Sequence, residues 1–149
     1  MPDVPDRIER TIEIDAPAEV VWRLVSEPGW WINGGIALRD HRIEIGDDVA
    51  LVHDEEHGTF RVQILELAPP RRAAFAWVPH SGGETPSETT GTTVEFTITE
   101  RERGVLLAVV ESGFSTLELP AERLARNYHD NVEGWVIELA LAKSVSEHG

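Results

Sequence analysis

The sequence predicts an α+β fold: a single antiparallel sheet of about six or seven strands, covered by one long C-terminal α-helix, with two short helices after the first strand. Two observations carry this prediction. Between residues 36 and 113 the apolar residues recur with a period of two, in runs separated by short turn signals. From Pro120 to Lys143 the period becomes helical: Leu124, Tyr128, Val132, Trp135, Leu139 and Ala142 follow one another at steps of three and four and stack on one face. Strands joined by short turns pair antiparallel, which leaves one sheet face for the helices to cover.

The elements follow in order. Arg7 to Asp15 alternates in its later part, Ile12-Glu13-Ile14-Asp15, and reads as a half-buried strand. Ala16-Pro17 breaks it. Pro17 suits the first turn of a helix, Glu19 complements the positive end of its dipole, and Val20, Val21, Trp22, Leu24 and Val25 give it an apolar side. Glu27-Pro28-Gly29 stops this helix, and Trp30-Trp31 follow on a second short helix or turn that ends at Asn33-Gly34-Gly35.

Strands are then expected at His41 to Ile45, Val49 to His53, Thr59 to Leu67, Ala73 to Val78, Thr92 to Thr99 and Val105 to Ser112. Residues 80–91 (HSGGETPSETTG) lack periodicity and are expected to form a long flexible loop. In the last helix Pro120 suits the first position. Gly134 in its interior costs about 1 kcal/mol against Ala, which suggests a close approach to the backbone there.

The totals narrow the class. A length of 149 residues with 41% hydrophobic residues fits one domain, 1–149, with a real core. No cysteine is present, which excludes disulfides, a thiol nucleophile and cysteine-ligated metals. A net charge of −14 repels phosphate backbones, so nucleic acid is not an expected partner. No apolar signal core or membrane-length apolar window occurs, and a soluble, cytoplasmic protein is expected.

Ile12 to Trp22 (IEIDAPAEVVW), Trp30-Trp31, Pro69-Pro70-Arg71 with Phe75-Ala76-Trp77, Glu111-Ser112-Gly113-Phe114 and Gly134-Trp135 together resemble the SRPBCC (START-like) superfamily. They look most like the branch related to the activator of heat-shock protein 90 ATPase, over about residues 8 to 142. The resemblance implies a helix-grip fold, a curved antiparallel sheet wrapped around the C-terminal helix with a cavity between them. It also implies apolar small-molecule ligands in many relatives.

Candidate ligand-binding residues follow from where aromatic and polar groups should face that cavity. Adjacent indoles on a helix cannot both face the core, so Trp30 or Trp31 should meet a cavity or solvent. Phe60, Phe75, Trp77 and Phe96 lie on strands, where Phe75 and Trp77 share a face. Glu111 follows an apolar run and shares a face with Val105, Leu107 and Val109, so a carboxylate is expected among apolar neighbours, paired with an Arg or a Trp N–H near the Phe114 turn. Tyr128, Val132 and Trp135 are the expected helical wall of the cavity. His53 and His57 are spaced as in a zinc signature but lie in a hairpin about 13 Å apart along an extended chain, so no metal and no other cofactor is expected.

The first functional expectation is therefore non-catalytic binding of an apolar or amphipathic small molecule between sheet and helix. A protein-interaction role as regulator of a heat-shock protein 90 type chaperone is the second. A cyclase- or dehydratase-like enzyme is the third, and it needs Glu111 and Tyr128 to converge in the pocket.

Overall fold

The computed structural model describes residues 4–32, 42–54, 58–78 and 90–148. Seven strands form one antiparallel sheet: β1 (Arg7–Ile14), β2 (Arg42–Ile45), β3 (Val49–Asp54), β4 (Gly58–Ala68), β5 (Arg72–Trp77), β6 (Thr92–Glu100) and β7 (Val105–Ser112), in the spatial order β1-β7-β6-β5-β4-β3-β2. Each expected strand lies within a residue or two of its predicted bounds. What local pattern does not give is the closure of the sheet by its first strand, which pairs with its last: Ile8 lies opposite Glu111, and Ile14 opposite Val105.

The helix α1 (Ala18–Val25) follows β1 and buries Val21, Leu24 and Val25. Residues Pro28 to Ile32 are turns in place of the second short helix, and the rest of that expected element lies outside the described residues. Most of the expected 80–91 loop also lies outside them, as does His57. A 3₁₀ turn, Phe114–Thr116, leads from β7 to α2 (Ala121–His148).

The long helix begins one residue after Pro120, whose carbonyl accepts from Leu124 N at 2.9 Å, and runs five residues past the expected end at Lys143. Its extra turn is tied to β1. Lys143 Nζ reaches the carbonyl of Glu13 and the carboxylate of Glu147, and the backbone N–H of Asp15 donates to Glu147 at 2.8 Å. No helix among the described residues is long and apolar enough to cross a membrane.

Strand alternation builds the core on one face of the sheet. Along β7, Val105, Leu107, Val109 and Glu111 are buried while the residues between them are not, the face assignment that the period of two predicts. Val94, Phe96 and Ile98 of β6, Phe75 and Trp77 of β5, and Val52, Phe60 and Val62 of β3 and β4 complete that face. Leu65 and Leu67 remain exposed on β4. At the hairpin between β6 and β7, Gly104 has φ +73°, and a Cβ there would collide with the carbonyl oxygen of Ile14, so only glycine lets the turn pass the end of β1.

Candidate functional site

Trp30 and Trp31 are both buried, and Trp31 also borders a cleft between the sheet and α2, so what is corrected is the helical geometry assumed for the pair. In the turn actually formed, Gly29 takes φ +77°, and the two indoles stand edge to face with centroids 6.3 Å apart, both directed inward. The Trp31 ring meets Phe75 at 5.5 Å, Trp77 at 5.6 Å, Phe96 at 5.5 Å and Trp135 at 6.1 Å. Trp30 packs on Phe96 at 5.2 Å, and Phe60 on Trp77 at 6.0 Å. Each such pair contributes about 0.5–1.5 kcal/mol beyond its burial. The aromatic residues expected to wall a large cavity thus largely fill it with one another.

Glu111 is fully buried at the edge of this cluster. Its two carboxylate oxygens accept four hydrogen bonds. Oε2 receives Trp77 Nε1 at 3.0 Å and Thr92 Oγ1 at 2.5 Å, and Oε1 receives Trp135 Nε1 at 2.8 Å and Asn131 Nδ2 at 2.9 Å. The register explains the convergence: Val94 of β6 pairs with Glu111 and Thr92 with Trp77, while Asn131 and Trp135 lie one turn apart on α2. Burial pushes the Glu111 pKa up, and the bonds from Thr92, Trp135, Trp77 and Asn131 pull against that shift. The expected Trp N–H partner is present twice over. Mechanically, Glu111 is the pin that joins sheet to helix.

Beside it lies a cleft of about 90 Å³ between the sheet and α2, lined by Trp31, Trp77, Asn131, Gly134, Trp135 and Glu138. A Cβ built on Gly134 meets no atom within 4 Å. Gly134 therefore opens space rather than permitting a close approach, contrary to the sequence-based expectation. Glu138 Oε1 is buried without a hydrogen-bond partner among the described residues, and burial raises its pKa from 4.5 to about 7. Trp31 Nε1 and Asn127 Oδ1 are likewise buried and unpartnered there.

Three of the expected binding residues, Trp31, Trp77 and Trp135, line this cleft. Trp30, Phe60, Phe75, Phe96 and Phe114 belong to the packed core. Tyr128 is half-buried: its ring packs on Phe114 at 5.1 Å, and its hydroxyl donates to the carbonyl of Arg7 at 3.3 Å. Its hydroxyl is thus engaged away from Glu111, so the pair required for acid–base chemistry does not form. Val132 is half-buried against the core. His53 Nδ1 lies 2.8 Å from Thr59 Oγ1.

Asn131 and Glu138 were missed, although a signal was present. Asn127, Asn131, Gly134 and Glu138 run at steps of four, three and four, one residue ahead of the apolar stripe Tyr128, Val132, Trp135 and Leu139. A small or polar stripe bordering an apolar one is what a partly open cleft beside a packed seam requires.

A larger depression of about 500 Å³, bordered by Gln63, Leu65, Ala76, Thr93 and Ser112, involves residues that alternation sends to the outer face of the sheet. Its carboxylate, Asp6, is already engaged by Ser115, whose N–H donates at 3.1 Å and which holds the pKa of Asp6 low. The inner cleft is smaller, but it combines indoles with an unmet polar atom among the described residues.

Comparison with known proteins places the chain by family and by fold. The family described as Activator of Hsp90 ATPase homolog 1-like protein matches residues 15–139. No curated protein matches the chain significantly by sequence. Among solved structures, a Mesorhizobium loti protein aligns with TM-score 0.68 at 18% identity, over 93% of this chain and 95% of its own. The solution structure of the Aha1 dimer from Colwellia psychrerythraea aligns with TM-score 0.67 at 17% identity, over 96% and 97%. A Rhizobium etli AHSA1-like protein aligns with TM-score 0.64 at 20% identity, over 95% and 82%. At these identities the likeness is one of fold.

Proposed function

We propose, for a chain that belongs to the Activator of Hsp90 ATPase homolog 1-like protein family of the SRPBCC superfamily, that it is a non-catalytic binding module. Its ligand site is the cleft between the sheet and α2, at Trp31, Trp77, Asn131, Gly134, Trp135 and Glu138. The observation that carries this reading is the coincidence of open space over Gly134 with a buried, unpartnered Glu138 oxygen at the same place. Buried polar atoms are almost always satisfied, so an unmet acceptor lining a space marks where a partner belongs.

The size of the space sets the class of ligand. Pockets for drug-sized ligands hold roughly 300–1,000 Å³, whereas this cleft has about 90 Å³. The reading is therefore narrower than the apolar or amphipathic small molecule expected from sequence: a molecule of a few heavy atoms, or the head of a longer one whose tail leaves the cleft. Catalysis has no support, because Glu111 is saturated by four donors and Tyr128 bonds elsewhere.

Native mass spectrometry of the purified protein tests the reading. A bound small mass that is lost in Gly134→Leu is the expected result. An unliganded spectrum, together with no binding from a library of small polar molecules, would remove the reading and leave the protein-interaction role, for which a pull-down with a heat-shock protein 90 type chaperone at low salt is the corresponding test.

A further inference from the structure

The chemistry of the cleft wall selects among small molecules. Resting on the binding-module reading, we propose that the cleft takes the head of a small protonated amine, with its N–H groups on Glu138 and its charge beside Trp31, Trp77 and Trp135.

Three features of the wall point to a cation. None of the six lining residues is positively charged, while Glu138 lines the space and Glu111 lies behind it, joined through Asn131 and Trp135. Trp77 and Trp135 both aim their N–H edges at the Glu111 carboxylate. What they leave for the cleft is ring carbon, and donation to a carboxylate polarises the rings toward greater negative charge. Trp31 packs on both, with its centroid 5.6 Å from Trp77 at 88° and 6.1 Å from Trp135 at 41°, and borders the same cleft. Cation–π attraction acts within about 6 Å of a ring centroid, and Trp31, Trp77 and Trp135 all border the cleft that Glu138 lines.

The unmet atoms add the hydrogen-bond pattern. Glu138 Oε1 is a buried acceptor without a donor among the described residues. An ammonium supplies up to three donors and no acceptor. Trp31 Nε1 is an unmet donor, so a ligand that also carries an oxygen satisfies the set more fully than a plain alkylamine. The volume of the cleft equals about three waters, which suits ethanolammonium, with its four heavy atoms.

The test is a titration of the intact protein followed by the indole N–H resonances in nitrogen–proton NMR spectra near pH 8, where an alkylamine stays protonated. The probes are ethanolammonium chloride, potassium chloride at matched ionic strength, and ethylene glycol as the neutral analogue. The proposal expects saturable shifts at Trp31, Trp77 and Trp135 with ethanolammonium alone, at least tenfold weaker binding in Glu138→Gln, and no binding in Gly134→Leu, both variants remaining folded by their own spectra. Equal binding of ethylene glycol, or an unchanged affinity in Glu138→Gln, overturns the selectivity for a cation and leaves the binding-module reading intact. Equal shifts with potassium chloride also overturn the proposal. If neither small molecule binds, the amine proposal falls, and the binding-module reading is decided separately by the native mass spectrum and the wider library.

Discussion

Replacing Gly134 with alanine should stabilise the protein. A glycine in the interior of a helix is worth about 1 kcal/mol less than alanine, because its unfolded backbone has more freedom to lose. The penalty of the replacement is set by what the new methyl group meets. At Gly134 it meets nothing within 4 Å, and the residue lies in the middle of the 28-residue α2. No collision offsets the gain. The net expectation is a gain of about 1 kcal/mol, which for a chain of this length raises Tm by about 2–4 °C. Thermal unfolding by circular dichroism reads the shift. Urea denaturation should show a higher midpoint at an unchanged slope. A loss of 1 kcal/mol or more would refute the reasoning, since it would mean that α2 lies against a neighbour at this position and that the cleft is closed.

Glu111→Leu should destabilise by about 3–5 kcal/mol, because it strands four donors inside the protein; Glu111→Gln, which keeps one acceptor, should cost less, and urea midpoints rank the two. Glu138 gives a pH signature: its folded pKa of about 7 lies above an ordinary 4.5, so the folded state binds the extra proton and stability is lost as pH rises through that window. Because Glu27 and Glu111 are raised by burial too, the measurable quantity is the difference from Glu138→Gln, which should remove about 1–2 kcal/mol of that loss, less than the full shift implies because Glu138 as a whole is only half-buried. Gly104→Ala should cost about 2–4 kcal/mol in the same urea assay, since it combines a left-handed backbone with a collision against the Ile14 carbonyl.

The strands were legible because one face of the sheet is buried, so the core residues of β6 and β7 had to recur at a period of two. The same rule placed Glu111 inward. The pairing of β1 with β7 was not legible, because it joins segments nearly a hundred residues apart and no local signal encodes it. The helical geometry assumed for Trp30-Trp31 failed for a definite reason: a turn with a left-handed glycine can direct adjacent side chains inward. Gly134 failed differently. A glycine is as costly to a helix when it makes room for emptiness as when it makes room for a neighbour, so the sequence showed that something was special without giving its sign. Glu138 escaped notice because charged residues on a long surface helix are usually solvated, and only the three-dimensional cleft distinguishes it from Glu133.

The central claim is that the space between the sheet and α2, opened by Gly134, holds a small molecule. A fragment screen read by the five indole N–H resonances, on the wild type and on Gly134→Leu, tests it most directly. The account predicts small polar fragments that shift Trp31, Trp77 and Trp135 in the wild type and lose all effect in Gly134→Leu. Fragments that bind both proteins equally, or that move only backbone signals of the outer face around Leu65 and Thr93, would contradict it.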